Sequence, residues 1–468
     1  MKIGLVGGSY EERSLPFDAQ RTINLFPVLD ETGQGKEISA LYGTPGLTTF
    51  TTCGAGMIRG EFCAANGRAF VVSGTDLYEI TSAGVATSRG SLLTTSGTVT
   101  MDENGTQLAI CDGTYVYIFT YSTNAFARVT DADLPSSGTL CFLDGYFVVS
   151  KNSSGAFYIS SLYDGTAWDA LDFATAESSP DDLVRVFNAI GQLWLFGKKT
   201  TEIWSNVGGS GFPFERINGA KIETGCLAAH TVVSLDNSVF WLGRDNKGSG
   251  IVYRAQGFKP ERISTHAIEY KIQQVADATN LIAYTYQQDG HVFYVLTGQG
   301  LDTSLVYDIT TQQWHERAYL NASGEYEVHL SNSYMFAFNK HLVGDRTSGK
   351  VFEMSMEVYA DNGDAIKRKR VFTHIGDEGK RFRANSLRVD FERGVGLSSG
   401  QGSAPVAILR VSKDGGRSYS DEYSCSIGAL GVRMPSCSWN RLGLFEVLTA
   451  ELTITDPVKV AICGAYLE

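Results

Sequence analysis

Carboxylates and histidines are the side chains of this 468-residue sequence that could perform acid–base or metal chemistry. Hydrolysis of a glycosidic bond needs two carboxylates at a defined separation. The candidates are Asp181, Asp182, Asp236, Asp289 and Glu327. Those at positions 236 and 289 stand in Asp-Asn and Asp-Gly turns, where Asp is expected for local backbone bonding. Because 51 acidic residues make such candidates inevitable, we predict no catalytic residue among them.

Arrangements that would bind a metal or a cofactor are missing from the sequence. The seven His are dispersed, without HExxH or another paired metal spacing. The eight Cys include no CxxC, so we predict buried free thiols. Residues 4–9 read Gly-Leu-Val-Gly-Gly-Ser and lack the full GxGxxG fingerprint, and neither a P-loop nor a GxSxG nucleophile elbow occurs. We therefore predict no metal, no cofactor and no enzymatic activity.

One segment matches a turn motif built around a carboxylate. Residues 412–419 read Ser-Lys-Asp-Gly-Gly-Arg-Ser-Tyr, which fits the Asp-box pattern Ser-x-Asp-x-Gly-x-Thr-Trp with conservative changes at the last two positions. In that motif the carboxylate accepts backbone N–H bonds within a hairpin turn and the aromatic ring packs beneath it. Asp boxes occur in sialidase propellers, where they are structural. We predict a structural turn at Ser412, Asp414, Gly416 and Tyr419.

The strongest run of charge is Lys367, Arg368, Lys369 and Arg370. Four successive cations in an acidic protein could contact DNA phosphates, contact an acidic neighbouring subunit, or remain solvated. The sequence leaves these three interpretations open. We single out the four residues as possible subunit or DNA contacts.

The composition favours many short strands over helices or disorder. The chain has 51 Gly, 22 Tyr and 25 Phe but only 10 Pro, and 43 % of its residues are hydrophobic. The net charge of −12 argues against wholesale binding of nucleic acid, although a local basic patch remains possible. The first residues are too short and too glycine-broken for a signal peptide, and no apolar run is long enough for a membrane span. We expect a soluble protein made in a cytoplasm.

A repeated unit organises most of the chain: two short apolar strands around a tight polar turn, then a Gly and an aromatic strand. The turns contain residues 67, 105, 145, 191, 237, 290 and 340, spaced 38 to 53 residues apart. Asn-Gly and Asp-Gly, as at 66–67 and 144–145, suit two-residue hairpins because both central positions need positive φ. Alternating β-branched and aromatic residues suit strands that are half buried between neighbouring sheets.

A period of about 40–50 residues with several strands per unit is typical of β-propeller blades. We predict an all-β protein whose residues 37–356 form a β-propeller of six or seven blades, since the seventh repeat is weak. An irregular stack of β-sandwiches is the alternative. Residues 357–468 contain short β-like segments and a loop rich in Gly and Ser, which favours a C-terminal β-sandwich or jelly-roll-like domain. Residues 1–36 are predicted to be an extended arm, or a strand lent to another sheet.

An ordered series of segments resembles one protein family. Residues 20–27 read Gln-Arg-Thr-Ile-Asn-Leu-Phe-Pro, and residues 41–47 read Leu-Tyr-Gly-Thr-Pro-Gly-Leu. Blade-strand segments follow at 143–150, Leu-Asp-Gly-Tyr-Phe-Val-Val-Ser, and at 191–197, Gly-Gln-Leu-Trp-Leu-Phe-Gly. Together they resemble the packaged-DNA stabilisation proteins that form the tail hub, or nozzle, of short-tailed lambdoid phages. The similarity covers most of residues 20–350.

The resemblance implies a structural virion protein without catalysis. It implies a ring, with six copies expected, attached below the portal and its adaptor ring in the virion tail and assembled in the host cytoplasm. That ring would close the exit after packaging, let genomic double-stranded DNA pass at ejection, and dock a needle or plug and tailspike or fibre proteins. It implies neither sequence-specific nucleic-acid binding nor a membrane span. Short arms that add a strand to a neighbour would strengthen such a ring.

A carbohydrate-binding or polysaccharide-degrading β-propeller adhesin is the alternative function. Trp204, Trp241 and Trp314 could stack on sugar rings. All three stand at blade-strand positions, where packing in the core is the usual role of a tryptophan.

Overall fold

The computed structural model of the chain describes residues 1–35, 37–176, 180–209, 211–376, 378–432 and 437–468. Nearly all of its regular structure is β-strand. Within the described ranges the only α-helix is His266–Gln273, which Thr265 caps by accepting a hydrogen bond from the backbone of Ile268. In the same ranges no helix has the length and apolar character needed to cross a lipid bilayer.

Seven antiparallel sheets form a closed ring, a seven-bladed β-propeller. The strands of each blade are given from the inner to the outer strand. Blade 1 has Ile58–Cys63, Ala69–Ser73, Asp76–Ile80 and Ala86–Ser91. Blade 2 has Thr100–Glu103, Gln107–Cys111, Val116–Thr120 and Ala125–Arg128. Blade 3 has Ser137–Leu143, Tyr146–Lys151, Ala156–Ser161 and Asp164–Thr175. Blade 4 has Leu183–Ala189, Gln192–Gly197, Thr201–Asn206 and Phe214–Ile222.

Blades 5 to 7 depart from this plan, and the departure in blade 7 closes the ring. Blade 5 has a divided inner strand, Gly225–Cys226 and Val233–Leu235, followed by Ser238–Arg244, Ser249–Gln256 and Lys259–Arg262. Blade 6 has Ile282–Gln288, His291–Thr297, Ser304–Asp308 and Gln313–Leu320, with Tyr326–Val328 beside the last. Blade 7 takes Ser331–Ala337, Lys340–Asp345 and Lys350–Ser355 from the end of the repeats and its outer strand, Gly46–Thr52, from before blade 1. The ring is therefore closed by a strand from each end of the propeller segment.

Seven hydrophobic clusters fill the seven spaces between neighbouring blades. Successive side chains of a strand point to opposite faces of its sheet, so each blade contributes to two clusters. In blade 2, Leu108 and Ile110 pack towards blade 1, whereas Ala109 and Cys111 pack towards blade 3. This double burial is why second strands of the blades, such as Ala69–Ser73 and Gln192–Gly197, are apolar at most positions.

The seven predicted turns all connect the inner strand of a blade to its second strand. Both central residues have positive φ in blade 3, at Asp144 (49°) and Gly145 (93°), and in blade 6, at Asp289 (50°) and Gly290 (80°). That conformation is the one that Asp-Gly hairpins supply at low cost. The weak seventh repeat is a complete blade, so the propeller has seven blades and the prediction of six or seven resolves to the higher number.

The C-terminal residues form a two-sheet sandwich around an eighth hydrophobic cluster. Its first sheet contains Leu25–Leu29, Ser39–Gly43, Ala461–Leu467, Phe382–Phe391 and Cys437–Phe445, with Lys2–Ile3 at one side. Its second sheet contains Ala19–Ile23, Arg368–Val371, Val447–Ile454, Val406–Ser412 and Tyr423–Ser426, with Tyr10–Glu11 and Ile375–Gly376 at its sides. A short hairpin of Ala360–Asp361 and Asp364–Ala365 extends blade 7.

The strand pairing divides the chain differently from the predicted boundaries at 36 and 357. Instead of forming an extended arm, the first 35 residues contribute strands to both sheets of the sandwich of their own chain. Ala19–Ile23 also pairs with the outer strand of blade 6, at Ile23 and Glu316. The second sheet of the sandwich is therefore continuous with blade 6.

Replacing Ile23 should weaken this shared strand. Ile23 is fully buried between blade 6 and the strand Arg368–Val371. We expect Ile23→Ala to lower the free energy of unfolding by about 2–5 kcal/mol through lost burial and a cavity. Urea unfolding followed by tryptophan fluorescence measures the change. The control is Ile38→Ala at a residue that is 64 % exposed, which should change stability by less than about 0.5 kcal/mol. Equal unfolding midpoints for the two variants would contradict the packing described.

Candidate functional site: the domain junction and the propeller channel

The run at 367–370 is a strand of the sandwich, and its side chains alternate between burial and partial exposure. Arg368 and Arg370 are buried, at 1 % and 0 % exposure. Lys369 is half-buried and pairs with Glu451, with Nζ 2.8 Å from Oε2. Lys367 lies over the ring of Tyr326, with Nζ 5.2 Å from its centroid. The expectation of DNA or subunit contact is wrong for the two arginines, because their side chains are enclosed by their own chain. For the two lysines it stays a prediction.

Arg370 fastens the N-terminal segment to the sandwich. Its Nε donates to the carbonyl of Leu5 at 2.6 Å, and one terminal nitrogen donates to the carbonyl of Gly8 at 3.0 Å and to the hydroxyl of Thr22 at 2.9 Å. The other terminal nitrogen donates to the Gln20 amide oxygen at 2.7 Å. Burial lowers the pKa of Arg370 to about 10, which leaves the guanidinium charged at neutral pH. One cation thus holds four acceptors from the first 22 residues in place.

A second buried charge, the carboxylate of Glu316, lies on the blade 6 side of the strand Ala19–Ile23. Glu316 is fully buried and accepts hydrogen bonds from Arg21, from Lys271 at 3.0 Å and from the Thr303 hydroxyl at 2.7 Å. Burial alone would raise the pKa of Glu316, but the charges of Arg21 and Lys271 outweigh burial and hold that pKa well below its ordinary value. The carboxylate joins blade 6, the helix His266–Gln273 and the N-terminal strand.

The Asp-box segment connects two strands of the sandwich as a hairpin turn. Asp414 accepts the backbone N–H groups of Arg417 at 3.0 Å and Ser418 at 2.9 Å, and the hydroxyl of Ser412 at 2.7 Å. The hydroxyl and backbone bonds from Ser418 and the hydroxyl bond from Ser412 lower the pKa of Asp414. Tyr419 lies within the turn region, 5.2 Å from the Arg410 guanidinium. The carboxylate is used by the turn itself, which is the arrangement expected of an Asp box.

The central channel of the propeller holds a cavity of about 630 Å³. Its walls come from the inner strands of blades 1, 2, 4, 5, 6 and 7. Glu61 faces it and accepts a hydrogen bond from the Ser333 hydroxyl at 2.8 Å across the seam between blades 1 and 7. Arg185 donates to the carbonyl of Ala229 at 3.2 Å, which links blade 4 to the broken inner strand of blade 5. Polar side chains in the channel therefore tie adjacent blades to each other.

Two carboxyls of the inner strands have raised pKa values. Burial raises the pKa of Glu61 to about 7, although hydrogen bonds from Ser333 and the backbone of Gly344 oppose it. Burial likewise raises the pKa of Asp102 to about 6, against hydrogen bonds from the backbone of Phe142 and Glu103. Both carboxyls are therefore more easily protonated in the folded protein than in the unfolded chain.

The carboxylates singled out as hydrolytic candidates are dispersed. Asp236 and Asp289 are the turn residues of blades 5 and 6, both with φ of 50°. Asp181 accepts the backbone N–H of Lys199 at 2.6 Å and that of Thr200 at 2.9 Å. Asp182 pairs with Lys198 and Glu327 with Arg346. Each has a local structural use, and the structure does not bring the five into one site. Within the described ranges, no group of three or more His, Cys, Asp and Glu could hold a metal ion.

The tryptophans considered for sugar stacking are packing residues. Trp241 and Trp314 are buried in the clusters on either side of blade 5. Trp204 is half-buried, with its ring edge-on to Phe157 at 5.2 Å and its Nε1 donating to Glu202 at 2.9 Å. No face of Trp241 or Trp314 is open to a ligand.

Sequence reasoning missed Glu61, Arg21 and Glu316. A signal for Glu316 was present, since it stands in a strand with Trp314 and Ala318 on its own face, both of which are buried. No comparable signal marked Arg21, because its partner lies 295 residues away in the chain.

The comparisons with known proteins give one family. The family Phage_stabilise, described as bacteriophage P22 Gp10, beta-propeller, matches residues 1–359. None of the curated proteins matches the chain.

Several solved structures are similar to this chain at low identity. The N-terminal domain of Nup159 is 9 % identical, with 72 % of this chain and 98 % of that chain covered and a TM-score of 0.42. YCF48 from Cyanidioschyzon merolae is 13 % identical, with 67 % and 99 % covered and a TM-score of 0.43. The WD40 beta propeller domain of Doa1 is 11 % identical, with 66 % and 97 % covered and a TM-score of 0.42. The assignment of the propeller depends on the strand pairing above, not on these similarities.

Removing the Arg370 side chain should loosen the N-terminal segment. In Arg370→Ala four acceptors lose their donor, and we expect the free energy of unfolding to fall by about 2–4 kcal/mol. Hydrogen exchange should also become faster in residues 5–11 and 20–22. The control is Arg381→Ala, whose side chain is 70 % exposed and should matter by less than about 0.5 kcal/mol. Unchanged exchange in Arg370→Ala would show that the guanidinium does not hold the segment.

Glu61 should make stability depend on pH. Because its pKa is raised on folding, its stabilising contribution is complete below the unfolded value near 4.5 and is lost as pH rises through about 7. Glu61→Gln should therefore reduce the loss of unfolding free energy between pH 5 and pH 8 by about 1–3 kcal/mol. Urea unfolding across this range measures the effect, with the exposed Glu422→Gln as control. A wild-type pH profile in Glu61→Gln would refute the assignment.

Proposed function

We propose, from the premise that this chain belongs to the Phage_stabilise family of β-propeller proteins described as bacteriophage P22 Gp10, that it forms the tail hub, or nozzle, of a short-tailed phage. Family membership makes it a structural protein of a phage virion. The tail hub is the finer assignment, and it makes the protein a mechanical component without catalysis.

In this role several copies form a ring, a hexamer in our proposal, below the portal and its adaptor ring. The ring closes the exit and retains the packaged DNA. It then serves as the conduit when genomic double-stranded DNA is ejected, and its outer surface docks a needle or plug and the tailspike or fibre proteins. Assembly takes place in the host cytoplasm, before the virion is released.

The observation that carries the proposal, beside the family match, is the continuity of the β-structure. The second sheet of the sandwich runs through Ala19–Ile23 into blade 6, and Arg370 and Glu316 fix that strand from its two sides. Relative motion of the two domains would break main-chain hydrogen bonds and expose buried charges, both of which are costly. A component that resists the pressure of packaged DNA benefits from such rigidity.

The charge of the chain is also suited to a conduit. With a net charge of −12, the chain as a whole repels phosphate. Repulsion lets DNA slide through an opening, whereas a strongly basic lining would bind the phosphate backbone and slow its passage.

The test compares particles assembled with and without this protein by electron microscopy and a nuclease-sensitivity assay. We expect particles without it to lack the distal tail and to lose their DNA, which then becomes sensitive to nuclease. Supplying the wild-type chain in trans should restore both properties. Particles that keep their DNA and a complete tail but fail to adsorb would contradict the hub assignment and favour an adhesin.

A further inference from the structure

One end of the sandwich carries exposed cations, in contrast to the run at 367–370, whose two arginines are buried and whose two lysines are half-buried. We call the residues Lys380, Arg381, Arg383, Lys413 and Arg417 the cationic tip; all five are exposed. Arg383 stands opposite Leu444 on paired strands, and Lys413 reaches over the Phe445 ring with Nζ 5.3 Å from its centroid. Both contacts are made at the end of the strand Cys437–Phe445, so the two segments of the chain that supply the tip, 380–383 and 413–417, meet there.

Apolar side chains are exposed within the same surface. Leu444 is 50 % exposed beside Arg383. Phe17 is 72 % exposed on the loop that packs against the Asp-box turn, where a Cβ at position 415 would lie 2.8 Å from Pro16 Cα. A patch that combines cations with exposed Phe and Leu resembles the composition of protein interfaces more than that of a phosphate-binding surface.

A surface of opposite charge protrudes from the outer strand of blade 3. This strand pairs with its neighbour at Phe173, opposite Tyr158, and again at Trp168, opposite Ser160. Four residues of the outer strand, 169–172, lie between these two pairs, whereas the neighbouring strand has one, so residues 169–172 form a bulge. Leu171, in this bulge, is 81 % exposed, more than any other large hydrophobic side chain in the described part of the chain.

The flanks of this bulge are acidic. We call Asp133, Asp169, Leu171, Asp172 and Phe173 the blade 3 ridge. Phe173 is 42 % exposed, and the loop that carries Asp133 is fixed to the ridge by the backbone N–H of Trp168, which donates to Asp131 at 3.0 Å. The ridge therefore combines carboxylates with exposed Leu and Phe, as the tip combines cations with exposed Phe and Leu.

The propeller and the sandwich also differ in net charge. Residues 46–356, which form the propeller, contain 20 Lys and Arg against 31 Asp and Glu, whereas residues 1–45 and 357–468 together contain 19 against 20. The excess negative charge of the protein thus belongs to the part that forms the propeller, and an approaching sandwich tip meets an attractive field.

The two surfaces cannot meet within one molecule. The sandwich is continuous with blade 6, and blade 3 is three positions away around a ring of seven, the largest separation that such a ring allows. A contact between two different patches on far sides of a subunit is heterologous, and repetition of a heterologous contact closes a ring when the rotation permits.

We propose that the cationic tip of one copy docks on the blade 3 ridge of the next copy, and that this head-to-tail contact builds the ring. The inference rests on the proposed function, because it names the contact by which the tail ring assembles. Lys380 and Arg383 face Asp133 and Asp172 of the next copy, while Phe17 and Leu444 pack with Leu171 and Phe173. Duplex DNA is the other occupant that a cationic surface could take, and the test separates the two.

The test uses charge reversal on each surface in a phage whose own copy of this gene is deleted. The tip variant is Lys380→Glu with Arg383→Glu, which leaves the pair of Arg381 and Glu446 intact. The ridge variant is Asp133→Lys with Asp172→Lys, which keeps the turn hydrogen bonds of Asp131 and Asp169. Each is supplied in trans, and tails are counted by electron microscopy. We expect each variant alone to reduce the number of complete tails by about tenfold or more, because like charges then face each other.

Supplying both variants together should restore the tails. A negative tip then meets a positive ridge and a positive tip meets a negative ridge, so rings can form with the two variants alternating. Matched controls reverse the same amount of charge elsewhere, with Lys151→Glu and Lys259→Glu for the tip and Glu325→Lys and Glu357→Lys for the ridge. Both controls should assemble as wild type. Thermal unfolding of the purified variants shows which of them fold. If a double variant does not fold, the single reversal Arg383→Glu or Asp172→Lys is used in its place.

The outcomes separate this inference from the proposed function. If the wild-type chain in trans does not restore tails, the proposed function fails. If it does, the inference is overturned when either variant alone assembles as wild type, or when both fail and their mixture also fails. Complete tails that leak DNA in the tip variant would overturn it as well, and would assign the tip to duplex DNA.

Discussion

The structure depends on one strand, Ala19–Ile23, that pairs with the propeller and with the sandwich at the same time. Ala19–Ile23 pairs with the strand Arg368–Val371 over residues 21–23 and with the outer strand of blade 6 at Ile23, and the next backbone amide, that of Asn24, donates to Glu316 of blade 6. Buried backbone groups without partners are costly, so neither domain can release this strand freely. The buried charges of Arg370 and Glu316 add to the constraint, because each is stable only while the N-terminal segment supplies its partners.

Local signals predicted the propeller well. Each Asn-Gly, Asp-Gly or Asp-Asn dipeptide predicts a hairpin turn from the local sequence alone. Strands that are buried on both faces give apolar runs that are easily recognised. The partners of the first 35 residues could not be predicted in this way, since Asn24 bonds to Ala318, 294 residues away. Pairing at that distance depends on the finished fold. Nothing in the segment itself distinguishes an arm for a neighbour from a strand for its own chain.

Charge alone does not predict the burial of the two arginines in the run 367–370, because strand parity decides which side chains face the core. Ile366, Arg368, Arg370 and Phe372 share one parity, and all four are buried. An alternation that places two arginines on the same face as Ile and Phe indicates a buried strand with internal acceptors. The exposed cations of the sandwich follow at Lys380 and Arg383 instead. The buried Arg370, which holds the N-terminal segment, and the exposed Lys380 are thus only ten positions apart.

Hydrogen exchange at the backbone amides of Thr22, Ile23 and Asn24 tests most directly whether the N-terminal strand makes propeller and sandwich one body. The Asn24 amide donates to the carbonyl of Glu316 at 2.8 Å. The account predicts that these amides in the isolated chain are protected as strongly as those of His291–Thr297, a central strand of blade 6, because they open only when the domains unfold. Exchange about a hundredfold faster than in that strand, at the rate of an exposed loop, would contradict it.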